Sequence, residues 1–559
     1  MPSRIYEIAS EYVDRAAALH PLGATHMGVP GHDHEMTDYS PQGEEQRAAF
    51  EREMLVALEA APIEGERDRI AQAAMLERLR LHVEMHEAGE QYRSLNILFS
   101  PFQDVRQCFD LMPRETEEQW RNIAARLHLA PFGLQSYRRT LEEGARLGMP
   151  STHRQAEQCA AQADAWSRRR EGTPLFFDTL VEAYDAAKIG NEALRRDLED
   201  GTRAAADAYA EMGRFLVQDY LPRTEPRDAV GPERYSRSVR GYNGIELDLR
   251  ETYRWGWDEL HRIEGEVEAT CARILPGSNI EEVQWLLEDD PARSIEGVEA
   301  FQRWMQELHE RTIAELDGVH FDIPGPVKRI EALIAPAGGA LAMYYTGPSE
   351  DFSRPGRTWY PTGGKTRFPL WGEVSIAYHE GVPGHHLQIG HVTYLSDRLS
   401  RWQRLLGTTS GYAEGWALYA ERLMAELGYL ENPDYYLGML RAQALRSARV
   451  VVDIGLHLEL AIPQGDRFHP GEQWTPELAH EFMLQRTYFP EDFLASEVTR
   501  YLGMPGQAIS YKVGERAWFE ARERAQQRDG AGFDLKAFHM RAFDLGPMGL
   551  EQMRRELGG

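Results

Sequence analysis

Helical periodicity, interrupted in one region, constrains this chain more than any other feature. Residues 44–90 place apolar side chains at helical spacing among many charges. Leu55, Leu58, Ile70, Met75, Leu79 and Leu81 mark faces turned to a core. The pattern returns over about 116–129, 134–148, 153–169, 190–220 and 245–275, and Pro131 and Pro150 are expected to separate neighbouring helices. It lapses near 327–370, where aromatic and branched residues mix with Gly and Pro and short strands are expected. It resumes from about 372 to the end. The fold class that follows is mainly α with one small sheet. Pro222, Pro226 and Pro232 crowd residues 221–233, so the boundary expected there leaves an N-terminal helical part at 1–230 and a second part at 231–559.

A chain of 559 residues with 42% hydrophobic and 27% charged residues can build a large core and is neither fibrous nor disordered. Lys+Arg number 62 against 89 Asp+Glu, a net charge of −27 that repels phosphate backbones and anionic lipid. Nucleic-acid and membrane-surface partners are therefore not expected. Cys108, Cys159 and Cys271 show no CxxC spacing, which argues against a disulfide framework or a cysteine zinc site. Charges at Arg4, Glu7, Glu11, Asp14 and Arg15 interrupt any apolar leader, and no run approaches the ~20 apolar residues that span a bilayer. A cytoplasmic protein is expected, and the sequence is compatible with a homodimer.

Chemistry concentrates in Tyr378-His379-Glu380-Gly381-Val382-Pro383-Gly384-His385-His386-Leu387-Gln388. This is a His-Glu-x-x-His zinc signature two residues too long. In the regular motif two histidines at i and i+4 share one helical face and one Zn²⁺, with the Glu between them as general base. Here the i+4 position is Pro383, which cannot ligate. On an ideal helix His385 points away from His379, and His386 lies on the right face but ~10 Å further along. Gly381, Pro383 and Gly384 break or bulge helices. Extruding two residues of Gly-Val-Pro-Gly returns His385 to the ligand position, whereas recruiting His386 takes three. His385 is preferred and His386 is the alternative.

A third ligand is expected in Ser410-Gly411-Tyr412-Ala413-Glu414-Gly415-Trp416-Ala417-Leu418-Tyr419-Ala420-Glu421, whose small and aromatic residues read as a buried helix. Glu414 and Glu421 share a face, and a buried carboxylate needs a partner. Glu414 is expected on the metal, and Glu421 behind it holding a histidine N–H. Two His, one Glu and an open position describe a catalytic zinc site. There zinc activates a water and polarises a carbonyl, and Glu380 takes the proton and passes it to the leaving amine.

At these residues the sequence resembles a known family. HEGVPGHHLQ, GYAEGWALYAERL, ARVVVDIGLH and RYLGMPGQAISYKVG, with LFSPFQDVRQCFDLMPRETEEQW towards the N-terminus, are similar to the bacterial domain-of-unknown-function 885 family. That family is regarded as a group of candidate zinc metallopeptidases. More distantly the site is similar to Taq-type metallocarboxypeptidases and thimet-type oligopeptidases. The resemblance implies two helical lobes around a deep cleft, a small antiparallel sheet near the active site, a Zn²⁺ cofactor and short peptides or related amides as substrates. Aligning Gly384-His385-His386-Leu387 with the Gly-His-Ala-Leu of the distant families places His385 on the metal.

Further candidates lie in the C-terminal segment. Tyr511 is expected to donate to the oxyanion of the transition state, with Tyr501 behind it, and Arg500 is expected to hold a substrate carboxylate. His457 and His539 are helix-borne histidines with a structural role as the simpler reading, and His32 and His34 fall in a loop. The 340–360 region, with Arg354, Arg357, Trp359 and Tyr360, is expected to supply an edge strand for the substrate backbone, as in related metallopeptidases. Two competing functions remain. A non-haem iron oxygenase also uses two His and one carboxylate, but has no need of Glu380. A non-catalytic binding scaffold has no need of the full set.

Overall fold

The computed structural model describes residues 3–168, 175–335 and 343–558. Residue 169, the end of one expected helix, and 336–342 of the expected strand region lie outside the described residues. The chain forms two compact units. One comprises Met1–Glu64, Leu76–Ala229 and Leu502–Met504; the other comprises Gly65–Met75, Val230–Tyr501 and Pro505–Gly559. Both are mainly helical.

The first unit is built on long amphipathic helices. Helix Glu117–Arg146 starts at a capping box in which Thr116 accepts from the backbone N–H of Gln119 and the Gln119 side chain reaches back. Trp120, Ile123, Leu127, Leu134, Tyr137 and Leu141 lie buried on one face, together with Phe102 and Tyr209 from neighbouring helices. The expected break at Pro131 does not occur, and the proline sits inside this one helix. The same apolar stripe continues on both sides of it, so packing of one continuous face outweighs the loss of one backbone hydrogen bond. Pro150, by contrast, does separate two helices.

Among the described residues the strands all lie in the second unit. β1 (Ser294–Glu296) pairs antiparallel with β5 (Arg367–Pro369). β2 (Ile330–Ile334) and β3 (Tyr344–Thr346) flank β4 (Gly356–Tyr360), parallel and antiparallel respectively. Strand formation in 327–370 follows the expected loss of helical period. β1 lies outside that region, because three residues carry too little pattern to read.

Two helix pairs set the frame of the candidate site. Helix Leu249–Ile274 packs along helix Pro433–His457, with Gly256 facing Val450. Helix Ser410–Glu426 crosses helix Ser510–Asp529 at a glycine contact, and the backbones touch there. A Cβ on Gly514 would lie 2.2 Å from the Gly411 carbonyl oxygen and 2.5 Å from Gly415 Cα. Beyond the contact, Trp416, Trp518 and Phe543 interlock, with the Trp416 ring 5.0 Å from Trp518 and 4.8 Å from Phe543. Gly514→Ala forces backbone atoms apart and is expected to lower unfolding stability by about 3 kcal/mol in urea titration. Gly265→Ala is the control. Gly265 is a solvent-facing helical residue with nothing within 4 Å of an added Cβ, so the change is expected to be neutral or slightly stabilising.

Candidate metal centre

His379 and Glu380 end helix Glu373–Glu380, and His385 begins helix His385–Tyr394. The expected bulge within one helix is instead a break between two. The Gly381 N–H donates to the Ala377 carbonyl at 2.9 Å and the Gly384 N–H to the Tyr378 carbonyl at 3.0 Å, and the Val382–Pro383 peptide is cis. The glycines are required by contact. A Cβ on Gly384 would lie 1.9 Å from the His379 carbonyl oxygen, and one on Gly381 would lie 2.5 Å from the His309 ring. Trp416 Nε1 holds the break from the facing helix by donating to the Pro383 carbonyl at 2.8 Å.

The break brings the His379 and His385 rings to 4.9 Å between centroids, nearly perpendicular at 87°. Glu414, one turn into helix Ser410–Glu426, completes the group. Its Oε2 lies 3.4 Å from His379 Nε2 and 3.4 Å from His385 Nε2. One ligand atom from each of the three side chains lies within 4.8 Å of the others, and this is the only such group among the described residues. His386 faces the other way. Its Nε2 meets the Val327 carbonyl at 2.7 Å and its Nδ1 meets the Tyr345 hydroxyl at 3.0 Å, so both nitrogens are engaged beside the sheet.

Glu421 is fully buried two turns beyond Glu414 on the same face of that helix. Its Oε1 accepts from His379 Nδ1 at 2.8 Å and its Oε2 from Ser375 Oγ at 2.5 Å. With Nδ1–H directed to Glu421, Nε2 of His379 faces Glu414, where it carries a proton or offers its lone pair to a cation. Burial pulls the His379 imidazole down, but hydrogen bonds to Glu414 and Glu421 lift it to about 9. Burial raises Glu414, and the two histidines more than reverse this, holding it well below the usual carboxylate range. The group therefore stabilises one positive charge at its centre, as a proton on an imidazole or as a cation held by all three. Imidazole nitrogens and a carboxylate oxygen are the donor set of Zn²⁺.

Glu380 is 8% exposed beside His379 and makes no hydrogen bond with a described residue. Burial raises its carboxyl against the lowering effect of His385 and His379. Tyr511 stacks on His379, with centroids 6.4 Å apart and planes 21° apart. Burial and the nearby Glu414 raise its hydroxyl, so it stays a donor at neutral pH. The structure thus brings together five of the seven expected residues: His379, His385, Glu414, Glu380 and Tyr511.

The other two belong to a buried network that meets the group through Arg449, whose guanidinium lies 4.8 Å from the Tyr511 ring. Tyr501 is sealed from solvent, with its hydroxyl 2.8 Å from Glu497 and 3.0 Å from Arg449 Nε. Arg500 donates to Glu497 at 3.0 and 2.8 Å and also binds Gln507. His457 meets the Tyr501 carbonyl at 3.0 Å, and His539 meets the Tyr419 hydroxyl at 2.8 Å. His32 is paired with Glu35 in the first unit. In the strand region Arg357 pairs with Glu331 and the Tyr360 hydroxyl meets His309; residues 340–342 are not described.

Sequence reasoning missed Ser375, Trp416 and Arg446. Arg446 has its Nη2 3.9 Å from Glu421 and its guanidinium 5.6 Å from the Tyr511 ring. The available signal was a pair of arginines, 446 and 449, inside a helix stretch that is buried throughout from Ala442 onward.

Fold and site together define a mainly helical protein whose second unit holds a two-histidine, one-glutamate group with a buried glutamate beside it. The chain belongs to the bacterial protein family of unknown function DUF885, whose model matches residues 21–557. It is similar in structure to a candidate lipoprotein from Colwellia psychrerythraea, with a TM-score of 0.84 and 22% identity over 100% of this chain and 99% of that one. It is also similar to a candidate lipoprotein of unknown function from Shewanella oneidensis, with a TM-score of 0.72 and 18% identity over the whole of both chains. These likenesses establish the shared fold. No curated protein matches the sequence. Among the described residues no helix is long and apolar enough to cross a membrane.

If the group takes up Zn²⁺, as its donor set allows, wild type and His386→Ala should each retain one zinc per chain and His379→Ala and Glu414→Ala none, as read by metal analysis after dialysis. Glu421→Gln is expected to weaken zinc by roughly 10–100-fold. A proton on His379 competes with the cation below about 9, so zinc affinity is expected to fall with falling pH. Competition titrations should show a loss on the order of tenfold per pH unit, and a flat profile would count against His379 as a ligand.

Proposed function

We propose that the protein is a zinc-dependent hydrolase of peptide or related amide bonds in short substrates. One observation carries the reading: His379, His385 and Glu414 converge within 4.8 Å, and Glu380, a buried carboxylate with no hydrogen bond to a described residue, adjoins them. His379 Nε2, His385 Nε2 and Glu414 Oε2 would hold the cation. When bound, zinc supplies Lewis acidity that polarises a carbonyl and lowers the pKa of water.

The remaining work belongs to the chain. Glu421 and Ser375 hold the His379 ring in one orientation. Glu380 accepts a proton from the attacking water and returns it to the leaving amine. Its raised carboxyl is matched to that exchange better than an exposed glutamate would be. Tyr511 donates its hydroxyl proton in a hydrogen bond to the oxyanion that develops on the attacked carbonyl. Two histidines and a carboxylate also suit ferrous oxygenases, but those have no use for a general base at Glu380. A cytoplasmic setting is likewise a proposal, which cell fractionation decides.

Glu380→Gln is expected to keep zinc and lose roughly 10²–10⁴-fold in turnover of short peptides. Tyr511→Phe is expected to keep zinc and lose roughly 10²-fold in kcat with little change in KM. Unchanged hydrolysis in Glu380→Gln would remove Glu380 from the mechanism.

A further inference from the structure

Helix Pro433–His457 carries Arg446 and Arg449 one turn apart in a buried stretch. Their surroundings differ. Arg449 donates to Glu497 at 3.1 and 2.6 Å and to the Tyr501 hydroxyl at 3.0 Å. Arg446 is 7% exposed and makes no hydrogen bond with a described residue. Its Nε is buried with no acceptor. Its Nη2 lies 3.9 Å from Glu421 Oε1, beyond hydrogen-bond reach, and that oxygen already accepts from His379.

A guanidinium carries five donors in a planar fork and keeps its charge. The Arg446 charge offsets that of Glu421, but its fork finds no hydrogen-bond acceptor among the described residues; buried donors without acceptors are costly, so the fork is set for an acceptor from outside the chain. Its position relates it to the metal group through two neighbours. Tyr511, which stacks on His379, lies 5.6 Å from this guanidinium and 4.8 Å from that of Arg449, and Glu421, which lies between Arg446 and His379, sets Arg446 apart. Arg500, expected from the sequence to bind a carboxylate, is occupied by Glu497 and Gln507.

We propose that Arg446 captures a substrate carboxylate, so that the enzyme acts on substrates with a free carboxylate close to the bond being broken. This rests on the hydrolase reading and narrows it to the carboxypeptidase type. A carboxylate matches the planar fork bidentately, and a neutral carboxamide at the same place cannot.

The test is equilibrium binding of one N-acetylated peptide in two forms, ending in a free carboxylate or in an amide. Zinc-loaded wild type, Arg446→Lys and Arg446→Ala are compared by calorimetry, with zinc content and circular dichroism recorded for each. Wild type is expected to favour the acid at least ~tenfold, as a charge-assisted bidentate pair gives. Arg446→Ala is expected to lose that preference while keeping its zinc, and Arg446→Lys to retain part of it. Equal affinity of wild type for acid and amide overturns the proposal, as does a full preference in either variant. If Arg446→Ala fails to fold, Arg446→Lys decides, since lysine lacks the fork. A wild type that prefers the acid yet cleaves neither form leaves the carboxylate site standing and overturns the hydrolase reading instead.

Discussion

Two carboxylates, Glu414 and Glu421, meet one imidazole, His379, from opposite sides of its ring. Buried anions at this density need positive charge, and the surrounding structure is arranged to deliver it. His385 adds a second imidazole to Glu414, and Arg446 adds a guanidinium near Glu421. The orientation of His379 follows from Glu421 and Ser375, and its free nitrogen then faces the same point as His385 and Glu414.

That arrangement depends on two places where only glycine fits. At the helix break, Gly381 and Gly384 let the chain turn against its own carbonyl groups, so that His385 starts a new helix beside His379. At the helix crossing, Gly411, Gly415 and Gly514 bring two backbones into contact. This sets the helix of Glu414 against the helix of Tyr511. The first contact assembles the two histidines, and the second places the carboxylate and the tyrosine around them. Both are matters of excluded volume, and neither involves the reacting groups directly.

Much of this was legible in the chain. The helical period marked the helices, and its loss at 327–370 marked β2 to β5. Pro131 misled, because an apolar stripe read across a proline weighs more in packing than the proline does in isolation. For the site, the His-Glu pair, the glycines and proline after it, and the Glu414–Glu421 spacing were all visible as local pattern. Tyr501 and Arg500 were singled out by type and neighbourhood; Glu497, three and four residues before them on the same helix, was a legible local partner, whereas Arg449 reaches Tyr501 from another helix through packing that spacing does not encode.

The sequence by itself determined the element types and nominated the residues with metal-ligating side chains, because helical period and short-range spacing are properties of consecutive residues. Only the tertiary structure decided between His385 and His386, by engaging both nitrogens of His386 with Val327 and Tyr345. It alone separated Arg446 from Arg449, whose acceptors Glu497 and Tyr501 are supplied by a segment distant in the chain. Local chemistry can nominate a group, but which distant acceptors reach it is set by packing.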